Sequence, residues 1–61
     1  MTTSELERKL KNAGCKLVEQ NKKHSVWYSD KTKNYVRLPR HPSKEVATGT
    51  AETILKDMGA K

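Results

Sequence analysis

Cysteine and long apolar stretches are scarce in this chain of 61 residues. The single cysteine, Cys15, cannot form an internal disulfide, and small secreted domains usually depend on such bridges. No apolar run approaches the roughly 20 residues of a membrane-spanning helix, and the polar first residues have no signal-peptide character. These absences predict a soluble cytoplasmic protein with no membrane partner.

The motifs of the common enzyme classes are missing as well. The chain has no glycine-rich phosphate loop, no CxxC pair, no HExxH and no nucleophile beside a recognisable base. The two histidines and Cys15 do not have the spacing of metal ligands, and Cys15 is expected to be a small core residue. We therefore expect neither a metal site nor a cofactor.

The length allows one domain, residues 1–61, and a thin core. A chain of this size buries only about 60% of the surface that it exposes when unfolded. Its stability is therefore expected to be marginal, and binding of a partner should increase it.

Positive charge is concentrated in the middle of the chain. Residues 8–44 contain eleven Lys or Arg against Glu19 and Asp30, a net charge of +9, whereas the two flanks together carry −3. Such a patch attracts polyanions by neutralising phosphates and releasing counterions, and nucleic acid is the commonest such partner. A solvated surface with no nucleic-acid partner is the alternative reading.

Two segments have the apolar spacing of amphipathic helices. The first lies near residues 4–13, with apolar side chains at i, i+4 and i+7, capping candidates before it and Gly14 after it. The second lies near residues 50–58, with Gly49 or Thr48 as the expected N-cap, Glu52 reaching back to that cap, and Gly59 at the end. The apolar faces of the two helices require a common apolar surface on which to pack.

Strand-forming residues fill the middle of the chain. Strands are predicted at 15–20, 24–29 and 34–38, separated by the polar turn segments 21–23 and 30–33. The prolines of the segment 39–42 argue against a strand or helix there and predict a stiff exposed loop. The resulting fold class is α+β, with αβββα order, a three-stranded antiparallel sheet and both helices on one face.

The period of two along a strand assigns side chains to the two faces of this sheet. If Trp27 faces the helices, so do Val36 and Leu38, which together bury the most apolar area. The other face then stays open and presents these side chains: His24, Val26, Tyr28, Tyr35 and Arg37. An uncovered apolar and aromatic patch often marks a binding surface.

His24 is the candidate catalytic residue, because it follows Lys22 and Lys23 at the start of a strand. Imidazole accepts and returns protons near neutral pH, so it could take the proton of an RNA 2′-hydroxyl that attacks the adjacent phosphate. The residues expected to hold RNA phosphates are Lys22, Lys23, Arg37, Arg40 and His41. On residue type and position alone, a hairpin histidine without a catalytic role is the more common case.

The residues also resemble a known family, the HicA-type toxins of bacterial HicBA toxin–antitoxin systems. The shared features run nearly end to end: Ser4-Glu5-Leu6, Leu10, Gly14, His24, the segment Pro39-Arg40-His41-Pro42, Gly49-Thr50, Ile54-Leu55-Lys56 and Gly59. Many members have Gly-Ser just before the histidine, where this chain has Lys22-Lys23. Without that glycine a positive φ is less accessible, so the turn is expected to differ.

The resemblance implies a double-stranded-RNA-binding-domain-like fold and metal-independent cleavage of messenger RNA in a bacterial cytoplasm, with His24 as the catalytic residue. It also implies a HicB-type antitoxin that covers the open patch of Val26, Tyr28 and Tyr35, and contact with DNA only through that antitoxin. Two alternatives stay open: a non-catalytic RNA-binding module, and a degenerate toxin that only binds its antitoxin. A double-stranded-RNA-binding domain normally contacts phosphates through a lysine cluster at the start of helix two. Here that helix begins Thr50-Ala51-Glu52, which disfavours the non-catalytic RNA-binding module.

Overall fold

The computed structural model describes residues 1–60 of the chain. The order of elements is α1 (Thr3–Asn12), β1 (Lys16–Gln20), β2 (His24–Ser29), β3 (Asn34–Pro39) and α2 (Thr48–Asp57). The strands form one antiparallel sheet in the order β1-β2-β3. This confirms the predicted αβββα order and α+β class. Neither helix is long and apolar enough to cross a membrane within the described residues.

Helix α1 begins at a capping box. The Thr2 hydroxyl accepts a hydrogen bond from the Glu5 N–H (3.2 Å), and the Glu5 carboxylate accepts one from the Thr2 N–H (2.9 Å). The helix buries Leu6 and Leu10 completely. It ends where Gly14 adopts a φ of +94°, which favours glycine and lets the Cys15 N–H return to the Leu10 carbonyl (3.0 Å).

Burial along β2 alternates strictly. Ser25, Trp27 and Ser29 are buried, and the residues between them are only half-buried. Trp27 lies opposite Val36 of β3, and its indole Nε1 donates a hydrogen bond to the Glu7 carboxylate of α1 (3.0 Å). The predicted assignment of the two sheet faces is therefore confirmed.

The core lies between the sheet and the two helices. Its buried apolar side chains are Leu6, Leu10, Cys15, Trp27, Leu38, Leu55 and Met58. The expectation that Cys15 is a core residue is confirmed, since it is 5% exposed. Thr3 is fully buried, a position that apolar spacing gives no reason to expect.

Helix α2 begins two residues earlier than expected, and the predicted N-cap is wrong. The cap is Ala47, which offers no side-chain acceptor, so neither Thr48 nor Gly49 occupies the cap position. Packing of Ala51 and Leu55 into the core, rather than a capping side chain, fixes where this helix lies.

The far end of α2 is held by the sheet. The Ser29 hydroxyl donates to the Met58 carbonyl (2.8 Å), and the Asn34 amide donates to the Asp57 carbonyl (2.8 Å). The chain then leaves the helix through Gly59 at a φ of +68°. A Cβ at Gly59 would lie 3.0 Å from the Lys31 side chain. Both the positive φ and this close contact therefore favour glycine at position 59.

The two edge strands of the sheet each have an irregularity. Strand β1 is exposed throughout, with Leu17 45% and Val18 51% exposed, and its register with β2 shifts between Leu17 and Glu19. Pro39, expected in a loop, is the last residue of β3. A proline is tolerated there because β3 is an edge strand with no neighbour on its other side.

The capping box yields a stability prediction. Thr2→Ala removes the acceptor for the Glu5 N–H and should lower the free energy of unfolding by about 0.5–2 kcal/mol in a urea titration. Thr48→Ala is the matched control, because Thr48 is not the cap of α2, and its effect should be close to zero. Equal losses in both variants would contradict this account of the two helix starts.

The same box predicts a pH dependence. Hydrogen bonds from the Thr2 backbone and hydroxyl lower the pKa of Glu5 below its ordinary value of 4.5. A carboxylate with a lowered pKa in the folded state contributes stability above its unfolded pKa and loses it as the pH falls through the folded value. Acidification should therefore destabilise the wild type more than Glu5→Gln, as measured by thermal unfolding across that range. Parallel profiles would contradict the prediction.

Candidate functional site

Asn21 closes the turn between β1 and β2. Its side-chain oxygen accepts hydrogen bonds from the N–H groups of Lys23 (2.8 Å) and His24 (2.7 Å), and its own N–H donates to the His24 carbonyl (2.9 Å). Among residues 1–60 the only non-glycine residue with a positive φ is Lys33, so Lys22 and Lys23 have ordinary backbone angles. An asparagine side chain thus closes the turn with no need for glycine.

Arg40 fastens the loop after β3 to this turn. Its backbone N–H donates to the Lys23 carbonyl (3.1 Å), and its guanidinium Nη1 donates to the Asn21 carbonyl (2.8 Å). The remaining guanidinium N–H groups are available to a ligand, because arginine has five donors. These two contacts bring Arg40 to the backbone that carries His24.

His24 is the first residue of β2, half-buried and on the open face of the sheet. It lies opposite Pro39 in the register, and Arg37 lies opposite Val26. Arg37 is therefore a diagonal neighbour of His24 on the same face, a relation that places side chains about 7–8 Å apart. The strand pairing thus brings a second arginine close to the imidazole.

His41 belongs to a different group of contacts. Its carbonyl accepts from the Lys44 N–H (2.9 Å), and the same loop holds the start of α1, where the Thr3 and Ser4 N–H groups donate to the Lys44 and Pro42 carbonyls. The His41 side chain is exposed, and no hydrogen bond recorded for residues 1–60 joins it to His24. The two histidines are not a hydrogen-bonded pair.

Within residues 1–60, neither ion pair of the structure involves the cations around His24. Lys22, Lys23, Arg37 and Arg40 are all exposed. The ion pairs found within residues 1–60 join other groups, Lys16 to Asp30 and the N-terminal ammonium to Glu45. Unpaired, exposed cations on one end of a sheet are suited to neutralising successive phosphates.

An aromatic pair occupies the same face further along the strands. The rings of Tyr28 and Tyr35 face each other across β2 and β3 with centroids 4.6 Å apart and planes tilted by 42°. Tyr35 is 67% exposed, and Val26 lies half-buried between this pair and His24 along β2. The three proposed antitoxin contacts therefore form one surface beside the histidine.

A shallow cavity of about 180 Å³ lies at the turn end of the sheet. Its lining residues are Glu7, Gln20, Ser25, Pro39, Arg40 and Pro42. A larger cavity of about 330 Å³ lies between the helices, lined by residues that include Leu55, Ala51 and Lys9. The smaller one lies on the helix-covered face of the sheet, where Ser25 is buried and Glu7 bonds the Trp27 indole, and it shares Arg40 with the turn before His24.

Metal ligands do not cluster in the described part of the chain. No group of three or more His, Cys, Asp or Glu side chains within residues 1–60 could hold a metal ion.

Two residues of this region were not among the sequence-based candidates. The role of Asn21 could have been predicted from the sequence, since asparagine in a polar turn often bonds the backbone two residues later. The role of Glu7 could not, because Glu7 reaches this region only through the packing of α1 on β2.

Comparison with known proteins identifies one family. The model of the family described as HicA toxin of bacterial toxin-antitoxin matches residues 3–60, nearly the whole chain. No curated protein and no solved structure matches the chain significantly.

The turn yields a prediction of its own. Asn21→Ala removes the acceptor of two backbone hydrogen bonds and should lower the free energy of unfolding by about 1 kcal/mol in urea. Asn21→Asp is the matched control, because its carboxylate oxygens accept the same bonds. If both variants lose equal stability, the side-chain oxygen does not close the turn.

Proposed function

Because this chain belongs to the HicA toxin family of bacterial toxin–antitoxin systems, we propose that it is an endoribonuclease that cleaves messenger RNA without a metal cofactor. His24 is the general acid and base of this proposal. The basic residues Lys22, Lys23, Arg37, Arg40 and His41 hold the substrate.

The observation that carries the proposal is the double contact of Arg40 with the turn before His24. A histidine alone at the end of a strand does not indicate which substrate the protein binds. Arg40 is bonded to the Asn21 and Lys23 carbonyls of the turn before His24, and Arg37 is the diagonal neighbour of His24 across the strands. A phosphodiester held by these cations would lie within reach of a proton acceptor.

The reaction follows from RNA chemistry. The neutral imidazole of His24 takes the proton of a 2′-hydroxyl, and the 2′-oxygen forms a bond to the adjacent phosphorus. The bond from phosphorus to the 5′-oxygen breaks, and that oxygen receives a proton from the imidazolium or from water. The products are a 2′,3′-cyclic phosphate and a 5′-hydroxyl end. Nearby cations stabilise the additional charge on the phosphate oxygens in the transition state.

Family membership also supports a HicB-type antitoxin as the partner. The surface of Val26, Tyr28 and Tyr35 suits this role, since exposed aromatic residues are common anchors of protein interfaces. A protein seated there would lie over the same face as His24 and would exclude RNA. The partner's surface would need apolar pockets for the tyrosines and acidic groups for the surrounding cations.

The catalytic role is tested with purified wild type and His24→Ala on end-labelled RNA in the presence of a chelator. Removing a general acid–base should slow cleavage by about 10²–10⁴-fold. RNA with a 2′-deoxy sugar at the cleaved position should resist the wild type, since the attacking oxygen is missing. Lys56→Ala on α2 is the control, because it removes an exposed cation outside the site.

The alternatives predict different results in the same assay. A binding-only module would bind RNA equally well with or without His24 and would leave it intact. A degenerate toxin would bind its antitoxin without cutting. Equal cleavage by wild type and His24→Ala, or dependence of cleavage on added metal, would contradict the proposed mechanism.

A further inference from the structure

The open face of the sheet carries an aromatic pair and the proposed catalytic histidine together. Side chains on one face of an antiparallel sheet follow one another at every second residue. On the open face, the successive pairs across β2 and β3 are Tyr28 with Tyr35, Val26 with Arg37, and His24 with Pro39. A ligand lying along this face therefore meets the tyrosines first, then an arginine, and then the imidazole.

The ring of Tyr35 is supported on one side and open on the other. Its centroid lies 4.6 Å from that of Tyr28, a half-buried residue whose ring is tilted by 42° relative to it. Because β3 is an edge strand, no further strand within residues 1–60 lies beyond Tyr35, which is 67% exposed. A supported ring with an open face is suited to stacking on a flat ligand.

The chemistry around this ring matches that of a nucleic acid strand. Arg37 is exposed, lies two residues from Tyr35 on the same face, and takes part in neither ion pair found within residues 1–60. Every nucleotide presents a phosphate and a flat base, and proteins hold unpaired strands with cations for the phosphates and aromatic rings for the bases. The neighbouring tyrosine and arginine thus offer a contact for each part.

The separation along this face fits a short stretch of RNA. Tyr28 lies four residues from His24 on β2, which corresponds to about 13 Å at about 3.3 Å per residue. Successive nucleotides of a stacked strand rise by about 3.4 Å. A base on Tyr35 and a phosphate at His24 would therefore belong to one strand, only a few nucleotides apart.

Only an unpaired base can stack on this ring. In an RNA duplex the flat faces of the bases are stacked on each other, and the narrow major groove keeps side chains away from the base edges. The bases of single-stranded loops and ends, in contrast, can turn outward and stack on aromatic side chains. An exposed tyrosine therefore favours single strands, whereas phosphate charge is common to both forms of RNA.

We propose that the open face binds single-stranded RNA, with one unpaired base stacked on Tyr35 and a neighbouring phosphate held by Arg37. This inference rests on the proposed ribonuclease function, since it specifies the substrate of the same site. It makes Tyr35 a substrate-binding residue and not a catalytic one. An antitoxin seated on the same tyrosines would compete directly with the RNA base.

The binding test uses a short fluorescein-labelled RNA with 2′-O-methyl sugars, so that the attacking hydroxyl is blocked and no cleavage occurs. Two further probes are the same strand in a duplex with its complement, and a strand of equal length without bases. Fluorescence anisotropy at one fixed salt concentration measures the three affinities. Wild type should bind the single strand at least about fivefold more tightly than either of the other probes.

Substitutions at position 35 separate stacking from simple apolar contact. Tyr35→Ala should weaken binding of the single strand by about 5–150-fold and leave the affinity for the strand without bases unchanged. Tyr35→Phe keeps the ring and should bind like the wild type. Tyr35→Leu keeps apolar area but has no aromatic face, so it should bind like Tyr35→Ala.

The matched control is Leu17→Ala. Leu17 is 45% exposed but lies opposite Trp27, on the helix-covered face of the sheet, so its loss should change none of the three affinities. Far-UV circular dichroism and thermal unfolding of every variant check that the protein is folded at the temperature of the assay.

The outcomes separate this inference from the proposed function. Equal weakening of the strands with and without bases by Tyr35→Ala, or equal affinity for single strand and duplex, overturns the stacking site even if RNA is cut through His24. Wild-type affinity of Tyr35→Leu also overturns it. If the single strand is preferred through Tyr35 but RNA is never cut, the ribonuclease proposal fails while the stacking site stands.

Discussion

Burial of the Trp27 indole determines the orientation of the whole sheet. The ring occupies the core between the strands and both helices, and its Nε1 has a partner in Glu7 of α1. Since side chains of a strand alternate between faces, this one placement puts His24, Val26 and Tyr28 on the opposite side. A large aromatic residue at position 27 therefore leaves the histidine accessible, and the open face follows from core packing.

The surroundings of His24 are assembled from pieces far apart in the chain. The turn at Asn21 shapes the backbone before it, and Arg40 joins that turn from the end of β3. This construction explains how the turn forms with Lys22 and Lys23 in place of the Gly-Ser that the family resemblance led us to expect. Because Asn21 supplies the acceptor, the turn needs no positive φ, and the lysine side chains are free to extend into solvent.

The αβββα order, the two sheet faces and the burial of Cys15 were predictable, because each follows from local periodicity or residue type. Three features were not. The start of α2 at Thr48, after the cap residue Ala47, depends on packing instead of a capping side chain. The bulge after Leu17 is set by pairing with Trp27 and Val26 across β1 and β2. The contact between Arg40 and Asn21 joins residues 19 positions apart, which no local pattern encodes.

The two ends of the sheet are stabilised by different kinds of contact, buried at one end and exposed at the other. At one end the Met58 carbonyl accepts from both the Ser29 hydroxyl and the Cys15 thiol, which ties the end of β2 and the residue before β1 to the residue that follows α2. At the other end the strands are joined by exposed turn contacts of Asn21 and Arg40. Local opening should therefore begin at the Asn21 end, where strands can separate without disturbing the core. The backbone that carries His24 therefore lies in the part of the fold that can open locally, without global unfolding.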